Sequence, residues 1–169
     1  FDKREIVEIL LLAIEKENDD AMLFYADMLF YGDGVPINKK EAIRYYEMSA
    51  NYGNQKALLF LSNLLYNGEE MPCNKKLAAR YYKKLADNGD EEAMFLYAEM
   101  LFKGDEIPIN KEEAINYYKQ SLAKGNSNAI LAFGKILYEG KDLPEDKKWA
   151  AKLFEFSSKN YIYKFFDFD

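Results

Sequence analysis

Apolar residues recur at helical spacing in short blocks, and Gly and Pro punctuate the blocks at regular intervals. Ala42, Tyr45, Tyr46, Ser49 and Ala50 fall at i, i+3, i+4, i+7 and i+8, the stripe of a helix with one buried face. Residues 21 to 31 are dense in helix formers and carry apolar residues on more than one side, so that helix needs several neighbours. Between the two, Gly32 can take the left-handed conformation that ends a helix, and Pro36 forbids its continuation. Asn38 then offers a cap, and Glu41 stands where it would complete a capping box. The pattern predicts helix, turn, helix.

That unit repeats. Gly32, Gly68, Gly104 and Gly140 stand 36 residues apart, as do Pro36, Pro72, Pro108 and Pro144. Ala21, Ala57, Ala93 and Ala129 keep the step, and so do Ala42, Ala78, Ala114 and Ala150. Tyr45-Tyr46, Tyr81-Tyr82 and Tyr117-Tyr118 align, with Leu153-Phe154 in the fourth place. Small residues recur at Ala26, Ser62, Ala98 and Gly134, where close helix approach is expected. Asn110 with Glu113 repeats the box, whereas Asn74 with Leu77 and Asp146 with Trp149 keep only the cap. Gly53, Gly89 and Gly125 mark junctions, after which Asn54, Asp90 and Asn126 can cap the next first helix. The expected layout is a half-repeat over 1–20, repeats over 21–56, 57–92, 93–128 and 129–160, and an aromatic tail over 161–169.

The stretch Ala21-x-x-x-Tyr25-Ala26-x-Met28-Leu29-x-x-Gly32-x-Gly34-Val35-Pro36-x-Asn38-x-x-x-Ala42-x-x-Tyr45-Tyr46-x-x-x-Ala50-x-x-Gly53-Asn54 resembles the Sel1-like repeat, a relative of the tetratricopeptide repeat. The resemblance implies an all-α fold, a right-handed α-α superhelix (solenoid) of antiparallel two-helix repeats. Residues 4 to 17 look like the second helix of a preceding unit, with Ile6, Ile9 and Leu10 at the Ala42, Tyr45 and Tyr46 places. The departure is at Gly34, replaced by Glu70, Glu106 and Asp142, which touches loop conformation alone.

Composition narrows the function. The chain carries 23 Lys plus Arg against 29 Asp plus Glu, a net charge of −6, which disfavours nucleic acid and anionic membrane surfaces as partners. With no histidine, Ser-His-Asp and Cys-His catalysis and His-ligated metals are excluded, and no cofactor motif appears. The single cysteine, Cys73, aligns with Ile37 and Ile109 and reads as a small apolar residue; it also fits a reducing, intracellular setting. Ser121-Leu122-Ala123-Lys124 matches a Ser-x-x-Lys motif without its companions, and Gly32-Asp33-Gly34 lacks the rest of a nucleotide loop. The apolar run Ile9 to Ile14 is far too short to span a membrane. Because the chain begins with Phe1 rather than Met, it reads as a piece of a longer protein.

These readings point to a non-catalytic scaffold or adaptor that binds a protein or peptide along the first-helix face. The relatives imply that this face is concave, and register selects Asp27, Asn63, Glu99 and Lys135 on it, with Phe30, Tyr66, Phe102 and Tyr138 one turn away. The charge of the polar column changes from repeat to repeat, as expected of residues that packing does not dictate. Burial between units is the competing reading for the aromatic column. A regulatory arm of a larger protein, such as a signalling kinase, is the alternative function, and self-association through the tail is a further one.

Overall fold

The computed structural model describes residues 2–159 of the chain, with side chains described as far as Ser157. The aromatic tail, and with it any self-association through it, lies outside the described residues. Among these residues the chain forms nine α-helices and no strand: α1 (Lys3–Glu15), α2 (Asp19–Tyr31), α3 (Lys39–Asn51), α4 (Gln55–Asn67), α5 (Lys75–Asp87), α6 (Glu91–Lys103), α7 (Lys111–Ala123), α8 (Ser127–Glu139) and α9 (Lys147–Lys159). None of them is long and apolar enough to cross a membrane. The all-α repeat architecture is the one the periodicity predicts. Packing divides the chain into two compact units, one ending at Tyr81 and one beginning at Tyr82, with the boundary inside α5.

Helix ends follow the punctuation. Gly32 and Gly104 close α2 and α6 with φ of 77° and 72°, a left-handed geometry that an L side chain adopts only at a cost. Asn54, Asp90 and Asn126 each accept a first-turn amide of the following helix. Asn18 caps α2 in the same way, accepting from Ala21 at 2.8 Å.

The capping box at Asn38 differs from expectation. Its side chain accepts from the Glu41 amide, but its own backbone N–H donates to the Leu29 carbonyl at 2.9 Å. With that donor taken, the Glu41 carboxylate accepts from the Asn38 side-chain amide instead, at 2.8 Å. Asn110 and Glu113 repeat this arrangement, with the Asn110 N–H donating to the Leu101 carbonyl. The loop is thereby stitched to the first helix while it caps the second.

In the first unit α2 and α3 run antiparallel. Ser49 donates to the Asp19 carbonyl at one end, Tyr25 meets Tyr45 edge-on at 4.9 Å in the middle, and Lys39 lies over Phe30 at the other. α4 lies against this pair: Tyr46 and Phe60 pack with ring centroids 4.4 Å apart, and Asn54 donates to the carboxylates of Asp19 and Asp20. Ala26, Leu29, Ala42, Tyr46, Ala57 and Leu61 form the buried centre, and α1 contributes no fully buried residue. Ile9, at the Tyr45 place, is exposed, because no helix among the described residues covers α1 as α2 covers α3.

The second unit repeats the scheme. Ser121 donates to the Glu91 carbonyl, Tyr97 and Tyr117 meet edge-on at 5.2 Å, and Lys111 lies over Phe102. In the next pair Phe133 keeps the first-helix ring, Leu153 stands in the second-helix tyrosine column, and Trp149 meets Phe133 at a right angle with centroids 6.0 Å apart. Small residues sit where close approach demands them: Ala98 is fully buried, and a Cβ on Gly134 would lie 2.9 Å from the Phe154 ring.

Candidate functional site

The polar column selected for the first-helix face is only partly free. In the first unit Asp27 is half-buried, and its carboxylate accepts from the hydroxyl of buried Tyr46 at 2.6 Å. In the second, Glu99 accepts from the Tyr118 hydroxyl at 2.5 Å and pairs with Lys103. Burial, then the bond to the neighbouring carboxylate, pushes the pKa of both hydroxyls far above the ordinary tyrosine value. The inference that packing leaves these positions free is therefore corrected. A phenol inside the core needs an acceptor, and the first helix supplies it. Asn63 is half-buried in the same column. Lys135 stands apart: its side chain is 75% exposed, with only Glu139 nearby at 3.9 Å.

A sequence signal for this pairing existed and was missed. Acceptors at Asp27, Asn63 and Glu99 accompany Tyr46, Tyr82 and Tyr118, and the acceptor becomes Lys135 where the tyrosine becomes Phe154.

The aromatic column is largely part of the frame. Phe30 is half-buried and meets Tyr46, Phe60 and Tyr31 edge-on. Phe102 is half-buried against Tyr118. A lysine at the first residue of each second helix covers each ring of the column: Lys39 over Phe30 at 5.2 Å, Lys75 over Tyr66 at 4.9 Å, Lys111 over Phe102 at 5.2 Å and Lys147 over Tyr138 at 5.7 Å. Tyr138 remains 55% exposed despite its lysine.

The same lysines explain the lost loop glycines. Lys3 pairs with Asp33, Lys39 with Glu70 and Lys111 with Asp142 in the loop one repeat on. Glu70 and Glu106 keep the left-handed conformation of Gly34, with φ of 59° and 63°. Replacement by Glu70 and Glu106 thus preserves the loop conformation, and Glu70 and Asp142 add a carboxylate that ties adjacent repeats. Such partly exposed pairs contribute at most about 1 kcal/mol each.

The surface left over by this frame is apolar in places. Phe24 and Tyr31 on α2, and Leu131 and Tyr138 on α8, are exposed, as are Ile37 and Ile109 in the loops. Cys73 is exposed, with its Sγ 3.4 Å from the Tyr66 carbonyl. Among the described residues no group of His, Cys, Asp and Glu is placed to hold a metal ion.

The second unit also holds a polar cluster that the first does not match. Lys83 donates to the Tyr117 hydroxyl at 3.1 Å, lies within 4 Å of carboxylates of Asp87 and Glu113, and sits over the rings of Tyr97 and Tyr117. Tyr117 in turn donates to Asp87 at 2.7 Å. The hydrogen bond to Tyr117 and the surrounding negative charge raise the Lys83 pKa above its ordinary value despite partial burial. The cluster is a charge-paired joint between the helices that carry it, half open to solvent at Lys83 and Asp87.

Comparison with known proteins follows from this repeat geometry. No curated protein shows significant similarity. Among solved structures, a Sel1 repeat protein from Oxalobacter formigenes is 21% identical with a TM-score of 0.84, the match covering 95% of this chain and 65% of that one. A protective antigen of uropathogenic Escherichia coli strains, displaying an SLR fold, is 27% identical with a TM-score of 0.82, over 91% of this chain and 33% of that one. Helicobacter pylori cysteine rich protein B is 18% identical with a TM-score of 0.57 over 76% of this chain. The chain thus spans less than two thirds of either of the first two structures. The Sel1 repeat itself matches four consecutive segments, residues 19–54, 55–90, 91–126 and 127–160, and the chain belongs to the Sel1 repeat family.

Proposed function

We propose that this chain is a non-catalytic protein-interaction module that holds a partner segment against the exposed face of its first helices. Proteins of the Sel1 repeat family mediate protein–protein interactions, which supports the coarse reading. One observation carries the finer one. Tyrosine, alanine and glycine positions are spent on the frame, whereas Lys135, Tyr138 and Leu131 of α8 face outward with no core role. Exposed aromatic and aliphatic side chains beside a charge are the composition of a contact surface. The absence of histidine anywhere in the chain fits a binding rather than a catalytic role.

Asp27 and Glu99 are poor probes of this face, since a lysine at either place would strand a buried phenol. Lys135→Glu combined with Tyr138→Ala is the clean test, because both side chains are exposed. Partners are identified by affinity purification and mass spectrometry, and the affinity of the recovered partner is measured for wild type and variant. The expected result is a loss of about tenfold or more with an unchanged melting temperature. Equal affinity in a folded variant removes the assignment.

A further inference from the structure

The charge-paired Lys83 joint has a counterpart one repeat later that lacks its two carboxylates. Lys119 stands 36 residues after Lys83, Phe133 after Tyr97, and Leu153 after Tyr117. The two carboxylates are gone: Ala123 stands in the Asp87 column and Trp149 in the Glu113 column. In place of the salt-bridged cluster there is, among the described residues, an open cleft of about 350 Å³ lined by Lys119, Phe133, Leu137, Leu143, Pro144, Asp146 and Trp149. Phe133 is buried and Trp149 half-buried, and they meet at a right angle. The Lys119 ammonium lies 5.8 Å from the Phe133 ring centroid, and among the described residues it makes no ion pair. Asp146, the carboxylate of the lining, is turned to the start of α9, where one oxygen accepts the Trp149 amide at 2.8 Å, and it forms no ion pair with Lys119.

We propose that this cleft binds an acidic segment of a partner protein, an aromatic or aliphatic side chain entering against Trp149 and Phe133 while an adjacent Asp or Glu pairs with Lys119. The charge balance of the neighbouring joint argues for this occupant. Lys83 holds two carboxylates of its own chain in the same place, and Lys119 keeps the cation while the chain has withdrawn both anions. A carboxylate from outside restores the local pairing, and the tryptophan that replaces Glu113 opens an apolar wall beside it. Ammonium–carboxylate hydrogen bonds are stronger than neutral ones, and tryptophan is a frequent anchor in protein contacts. The cleft uses Phe133 and Leu137 of α8 together with α7, α9 and the loop before α9, and none of Leu131, Lys135 and Tyr138 lines it, so it does not depend on the face proposed above.

Trp149 is the only tryptophan of the chain, so its emission reports occupancy directly. The full chain is titrated with an acetylated, amidated peptide Ser-Phe-Asp-Leu-Asp-Ser and with its counterpart Ser-Phe-Asn-Leu-Asn-Ser. The acidic peptide is expected to shift Trp149 emission saturably and to bind about tenfold more tightly than the amide peptide. Lys119→Gln, a change at an exposed side chain, is expected to erase that difference, while Lys135→Glu with Tyr138→Ala leaves it intact. Equal binding of both peptides, an unaltered preference in Lys119→Gln, or no emission change at all would overturn the proposal. A several-fold gain in affinity on Asp167→Asn with Asp169→Asn would also overturn it, by making the chain's own C-terminal residues the occupant. Loss of partner binding in Lys135→Glu with Tyr138→Ala alone leaves this cleft untouched, so the two readings fail separately.

Discussion

The third and fourth repeats share a backbone plan but divide their side chains differently between frame and surface. In the third, Tyr118 is buried with its hydroxyl on Glu99, and the Lys83 cluster pairs the charges of the adjoining joint. In the fourth, Phe154 is 37% exposed, Lys135 points to solvent, and Trp149 leaves a cleft open. Gly134 replaces Ala98, which lets the Phe154 ring approach the first-helix backbone. Hydroxyl and acceptor are lost together, as they must be, because a carboxylate without its donor or a phenol without its acceptor is costly inside a fold. A helical repeat therefore changes its surface by exchanging whole interaction sets rather than single residues.

The largest expected contrast lies in the core rings. Tyr118→Ala should cost about 3–5 kcal/mol in chemical denaturation, and Phe154→Ala about 1–2 kcal/mol, because only the first ring is fully enclosed. Equal losses would show that the fourth repeat is packed as tightly as the third. The alkaline limb of stability follows from the same residue. The Tyr118 pKa is raised on folding, so its contribution is complete below the unfolded tyrosine value of about 10 and is lost as pH rises beyond it. Denaturation above that pH should be blunted in Tyr118→Phe and unchanged in Phe154→Ala.

A smaller contrast separates two serines of one column. Ser121→Ala should cost about 1 kcal/mol, since its hydroxyl holds the Glu91 carbonyl at 2.6 Å in a buried site. Ser157→Ala should cost no more than a few tenths of a kcal/mol, because among the described residues its hydroxyl bonds within its own helix, to the Phe154 carbonyl near the surface. Thermal unfolding of the two variants side by side checks the ranking. Smallest of all is the loop pair: Asp142→Ala should change stability by less than about 1 kcal/mol, and added salt should erase the difference.

The period, the turn glycines and the helix caps were legible because they depend on local backbone geometry, which a residue such as Gly104 or Asn54 announces by its own chemistry. The buried tyrosine stripe was legible from its helical spacing. The tyrosine–carboxylate bonds were hidden for a different reason. Asp27 and Tyr46 are 19 residues apart on different helices, and their meeting depends on how α2 and α3 face each other. The lysine column was overlooked because a lysine at the start of a helix reads as solvated. Only the folded repeat shows it lying over the ring behind it and reaching the loop ahead. Of the proposed surface, Lys135 was legible as an outward position, whereas the sequence left Tyr138 open between groove and burial, and the Trp149 cleft depends on four elements meeting at one point.

The polar column is frame where a tyrosine faces it and surface where none does. A double-mutant cycle of Tyr118→Phe with Glu99→Ala measures this most directly. The predicted coupling is about 1–2 kcal/mol, against none in a parallel cycle of Lys135→Ala with Phe154→Leu. Additive effects of Tyr118→Phe and Glu99→Ala would contradict it and return Glu99 to the free surface.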